Sequence, residues 1–108
     1  ICPCSGTTIG KLAAGIGDNL ATRSAIVALK ERRKLIMVPR EAPYATVHLE
    51  NLAKLSGWGA VVIPASPGFY NHPKTMDDLI DFIVARILDH LGRENELTKR
   101  WTGEEIDE

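Results

Sequence analysis

Three short segments repeat one design: "ICPCS" at 1–5, "IMVPRE" at 36–41 and "VVIPAS" at 61–66. Each is an apolar run that meets a proline and then small or charged residues. Proline has no N–H to give to a ladder, so it marks where each run stops pairing. Short, uniformly apolar runs suit strands buried on both faces, as in a parallel sheet. Helical patterns fall around them, at 7–16, 19–32, 46–56 and 76–91. Asp18 is the expected N-cap of the second, Gly57 closes the third, and Thr75 caps the fourth, with Asp77 and Asp78 in its first turn and Gly92 at its end. The order β-α-α-β-α-β-α, with a tail from 93, predicts an α/β fold: a Rossmann-like, flavodoxin-like three-layer sandwich with a parallel sheet.

In such sheets the loops after the strands gather at one edge, where ligands bind. Ser5-Gly6-Thr7-Thr8, Arg40-Glu41 and Ala65 to Tyr70 are therefore expected to converge. "CSGTTIG" offers small residues and hydroxyls before a helix start, whose free N–H groups favour phosphate. It has neither the P-loop lysine spacing nor a G-x-G-x-x-G fingerprint.

Three cations fall where apolar residues dominate. At 100° per residue, Leu20, Ile26 and Val27 define a stripe on the second helix that also holds Arg23 and Lys30. Arg86 falls among Leu79, Phe82, Ile83 and Ile87 on the last helix. Buried cations need counter-charges, so the trio predicts an anion site; the alternative is aliphatic stems lying on apolar surface with their heads in water. His48, on the side of Leu49 and Leu52, reads as a core histidine, and "ERRK" at 31–34 as a solvated helix end. Trp58 suits packing or an interface, and Trp101, in a charged tail, suits docking of that tail on the site or on another subunit.

The 108 residues carry a net charge of −1 with 25% charged residues, which argues against a nucleic-acid footprint. No apolar run approaches the roughly 20 residues of a membrane span. Cys2 and Cys4 are too close in sequence to bridge well, no second cysteine pair follows, and the three histidines are scattered. Reduced thiols, a cytoplasmic location and no metal are the expectation. The chain opens on "ICPCS" without methionine, and is expected to be the C-terminal part of a longer protein, with a processed chain as the alternative.

The set "PCSGTT", "DNLATR", "ALKERR", "IMVPREAP", "HLEN", "PASPGFY" and "ARILDHLG" resembles the flavin prenyltransferase family over nearly all of the chain. The resemblance implies transfer of a dimethylallyl group from dimethylallyl phosphate to N5 and C6 of reduced FMN, without a metal. It also implies a homododecamer with active sites at subunit interfaces, whose prenylated FMN serves a partner decarboxylase of the UbiD type. Carried onto this sequence, Ser5, Gly6, Thr7, Thr8 and Arg40 would bind FMN, Glu41 would handle a proton, and Lys30, Tyr70 and Arg86 would hold the dimethylallyl phosphate. Arg23 and Trp101 would be further pocket residues, Arg23 and Lys30 on the catalytic side. Residues 1–92 would be the C-terminal part of the flavoprotein domain and 93–108 a tail on the site or on a neighbouring subunit. The family's glycine-rich loop, catalytic serine and second glutamate would have to come from a missing N-terminal half, in the same or another chain. Two other classes remain. A sister cysteine decarboxylase would carry a "PASANT"-like loop and would not need Lys30, Tyr70 and Arg86; the other is a non-catalytic FMN-binding subunit.

Overall fold

The three proline-ended runs lie side by side and parallel. In the computed structural model, which describes residues 1–98, β1 (Ile36–Met37) pairs with β2 (Val61–Val62), Ile36 opposite Val61 and Met37 opposite Val62. On the other side of β1, the first run makes a bridge, Cys4 opposite Pro39, rather than a strand. Pro3 explains the difference. Val38 N–H donates to Ile1 O at 2.9 Å, but Pro3 has no N–H to return, so Cys4 N–H donates to Val38 O at 2.8 Å instead.

Pro39 acts on one side only. Val38 and Arg40 turn their N–H groups toward the first run, the latter donating to Cys4 O at 3.1 Å. By the alternation of a parallel ladder, the nitrogen of Pro39 faces β2. Pairing with that neighbour ends in the bond from Ile63 N–H to Met37 O, at 2.8 Å.

The chain divides into two units, Ile1–Ala65 and Ser66–Glu108. In the first, α1 (Gly6–Ala13) packs against both α2 (Leu20–Lys30) and α3 (Thr46–Gly57). Cys4, Ile9, Leu12, Ala25, Leu35, Met37, Leu55 and Ala60 form the buried core. Burial pushes the Cys4 thiol above its ordinary pKa. α2 is capped by Asn19 rather than Asp18: Asn19 Oδ1 accepts Thr22 N–H at 2.9 Å, while Asp18 pairs with Lys11 at 3.1 Å. α1 stops at Ala13, short of the expected 16, and Gly15 follows with φ +75.

In the second unit, α4 (Met76–His90) starts at Thr75, whose hydroxyl accepts Asp78 N–H at 3.1 Å, and Gly92 follows its end with φ +74. Asp78 accepts in return from Lys74 N–H at 2.8 Å and Thr75 N–H at 3.1 Å. These donors, Lys74 first, hold its carboxyl below the usual carboxylate value of 3.8. A lowered folded pKa supplies stability that is present above the unfolded value and lost as pH falls through the folded one. Asp78→Ala is therefore expected to lower the melting temperature at neutral pH and to flatten its decline below pH 3.8. An acid-side slope unchanged from wild type would contradict this.

Candidate functional site

The edge beyond Cys4 and Pro39 joins two of the three expected loops. Because these residues are paired, Ser5–Thr8 and Arg40–Glu41 leave the sheet as neighbours. Ser5 caps α1, its Oγ accepting Thr8 N–H at 3.2 Å. Gly6 N–H donates to Glu41 Oε1 at 2.8 Å, across 35 residues of sequence. Arg40 and Thr7 are exposed, while Glu41, Ser5 and Thr8 are half-buried.

This geometry revises the phosphate reading of "CSGTTIG". Ser5 and Glu41 already serve the first turn of α1, and Glu41 supplies the negative charge that a helix N-terminus favours. Ser5 Oγ also donates to Thr8 Oγ1 at 3.2 Å, so the exposed polar groups at this corner are the Thr7 hydroxyl and the guanidinium of Arg40.

His48 is not a core histidine. It is half-buried in the first turn of α3, and its Nδ1 accepts Ala45 N–H at 3.0 Å. Ala45 has no side-chain oxygen to cap the helix, so His48 supplies the capping interaction. Its ring meets Tyr44 edge-on, with centroids 6.4 Å apart at 76°.

The misplaced cations are on the surface. α2 buries Thr22 and Ala25, small enough for close packing, and leaves Leu20 83% and Val27 43% exposed. Of the residues that defined the predicted stripe, Leu20 and Val27 thus face outward with Arg23 and Lys30, while Ile26 packs against the core. Arg23 lines an open groove of about 400 Å³ with Leu20, Val27, Arg33 and Lys34. Lys30 lines a different one, also about 400 Å³, with Ile26, Leu29 and Trp58. Residues 31–34 are exposed, as expected of a solvated helix end.

In the second unit, α4 buries Ala85 and exposes Arg86, which pairs with Asp89 at 3.2 Å. Tyr70 packs edge-on to Phe82, centroids 5.6 Å apart at 81°. Gly68 makes this possible: a Cβ there would lie 2.8 Å from the Tyr70 ring and 3.0 Å from Phe82. Trp101 lies outside the described residues. Among the described residues there is no group of three metal-ligating side chains, and no helix is long and apolar enough to cross a membrane.

Comparison with known proteins shows which proteins the chain is similar to. A family model described as Flavoprotein matches residues 1–88. The flavin prenyltransferase UbiX of Thermoplasma acidophilum is 59% identical over 101 residues, 94% of this chain and 56% of the relative. A dodecameric FMN-dependent UbiX-like decarboxylase from Escherichia coli O157:H7 superposes with a TM-score of 0.89 at 50% identity, over 94% of this chain and 55% of that one. The structure of AnUbiX (PadA1) in complex with FMN and dimethylallyl pyrophosphate gives a TM-score of 0.90 at 41% identity, over 95% of this chain and 55% of that one. The α/β fold with parallel strands is thus shared with these proteins, and the chain spans about half the length of the curated relatives it matches.

Proposed function

Given that the chain belongs to the Flavoprotein family, we propose that the protein it forms part of is a flavin prenyltransferase, moving a dimethylallyl group from dimethylallyl phosphate to reduced FMN. The observation that carries this reading is the bond from Gly6 N–H to Glu41 Oε1. It ties a hydroxyl-rich loop, suited to a flavin, to a carboxylate able to handle a proton beside it. Similarity to UbiX relatives and to a complex with FMN and dimethylallyl pyrophosphate supports the substrate pair.

Ser5, Gly6, Thr7, Thr8 and Arg40 would hold FMN: hydroxyls and a guanidinium fit the polar atoms of its ring. When bound, reduced FMN supplies the nucleophilic ring positions. Glu41 takes the proton lost on ring closure, or returns one to the departing phosphate. Lys30 and Arg86 stabilise that phosphate as an anion and Tyr70 donates a hydrogen bond to it, with Arg23 and Trp101 completing the pocket. The exposure of Arg23, Lys30 and Arg86 is consistent with a site finished by other copies of the chain, as in a dodecamer. Residues 1–92 would act as the C-terminal part of the flavoprotein domain and 93–108 as a tail on the site or on a neighbouring subunit, with the remaining FMN contacts supplied by an N-terminal half in the same or another chain. The prenylated flavin passes to a UbiD-type decarboxylase in the cytoplasm.

The test is the full-length protein with reduced FMN and dimethylallyl phosphate under anaerobic conditions. Mass spectrometry is expected to show flavin gaining one five-carbon unit; unmodified FMN at every time point rejects the reading. Lys30→Ala and Arg86→Ala are expected to raise the KM for dimethylallyl phosphate at least tenfold, the scale of one charge-assisted hydrogen bond, and to spare FMN affinity. Equal loss of FMN binding would show that the roles are wrongly divided.

A further inference from the structure

His48 has no part in the chemistry above, yet it stands against the same glycine as the acid. A methyl group on Gly6 would lie 2.5 Å from Glu41 Oε1 and 2.6 Å from His48 Nε2. The two atoms therefore flank one face of a single Cα, and only glycine lets them do so. The orientation of the ring is fixed separately, by Ala45 N–H on Nδ1 at 3.0 Å and by the edge of Tyr44. A nitrogen that accepts a hydrogen bond carries no proton, so the neutral ring bears its proton on Nε2. The backbone cap of α3 thus sets the Nε2 edge of the ring beside the same Cα as the carboxylate, packed at the corner rather than hydrogen-bonded to it.

We propose that His48 is a positioning residue for Glu41: its imidazole edge, set by the Ala45 cap, walls the space over Gly6 and leaves the carboxylate the orientation that Gly6 N–H holds. The capping of α3 and the aim of the acid are then one device, built from residues 6, 41, 45 and 48. This rests on the reading of Glu41 as the proton-handling group.

The test is a double-mutant cycle in the full-length enzyme, following prenyl transfer, FMN affinity and thermal melting. His48→Asn places an amide oxygen where Nδ1 was, so the Ala45 cap is kept while the ring edge over Gly6 is lost. Its kcat is expected to fall about tenfold, within the coupling range of neighbouring residues, with KM for dimethylallyl phosphate, FMN affinity and melting temperature unchanged. In a Glu41→Gln background the same substitution is expected to cost nothing more. Wild-type kcat in His48→Asn, or an equal further loss in the Glu41→Gln background, overturns the role of His48 and leaves that of Glu41 standing. Full activity in Glu41→Gln overturns the parent reading and this one with it. If His48→Asn does not fold, His48→Gln, which keeps an atom at the Nε2 position over Gly6, decides: retained kcat supports the assignment, and loss as deep as Glu41→Gln rejects it.

Discussion

Glu41→Gln is expected to slow prenyl transfer by about 10²–10⁴-fold, the usual scale for removing a general acid or base, while leaving FMN binding and the fold nearly untouched. The separation follows from what glutamine keeps. Oε1 of Glu41 accepts Gly6 N–H at 2.8 Å, and the amide oxygen of glutamine accepts the same bond. The start of α1 therefore stays satisfied and the loop beside it keeps its course. What goes is the capacity to take and return a proton. Single-turnover prenylation, with FMN affinity and melting temperature measured alongside, separates the two effects. A variant that loses FMN and activity together would make Glu41 a structural cap and nothing more.

Gly6→Ala is expected to do the reverse, damaging structure first. The added methyl would meet Glu41 Oε1 and His48 Nε2 at 2.5 and 2.6 Å, so at least one side chain must leave. Overpacking of this kind costs about 1–3 kcal/mol. If Glu41 is displaced, the bond to Gly6 N–H goes too, and activity falls with stability. Gly10 is the internal control. It lies in the same helix, nothing is within 4 Å of where its Cβ would be, and Gly10→Ala is expected to stabilise by about 0.5–1 kcal/mol through helix propensity. Melting temperatures moving in opposite directions for the two variants would bear this out. A Gly6→Ala protein as stable and active as wild type would show that the crowded corner relaxes freely.

Much of the architecture was legible in the apolar runs. Their prolines marked where pairing stops, and the rule that loops gather at one edge brought Ser5–Thr8 next to Arg40–Glu41. The cations are exposed rather than buried because a stripe weighted by side-chain size follows Leu20 and Val27, whereas close helix packing selected Thr22 and Ala25. Tight contact favours small residues, which carry little hydrophobic signal. The role of His48 could not be read from periodicity, since it depends on Gly6 and Glu41 arriving from two other loops. A faint signal existed at Ala45: a helix start with no side-chain acceptor needs one from its third residue, and a histidine stands there.

Pro39 gives β1 two unequal borders. Toward Cys4 the backbone is stitched up to Arg40, so the positions of the two site loops are set by main-chain bonds that no side-chain substitution removes. Toward β2 the last of these main-chain bonds is the one from Ile63 N–H to Met37 O. A change of length or course after Pro64 therefore leaves in place the bond between Gly6 and Glu41 and the two loops it joins. One border of such a strand can take an insertion while the other cannot, and lengthening the chain after the third proline is expected to cost less stability than lengthening it after the second.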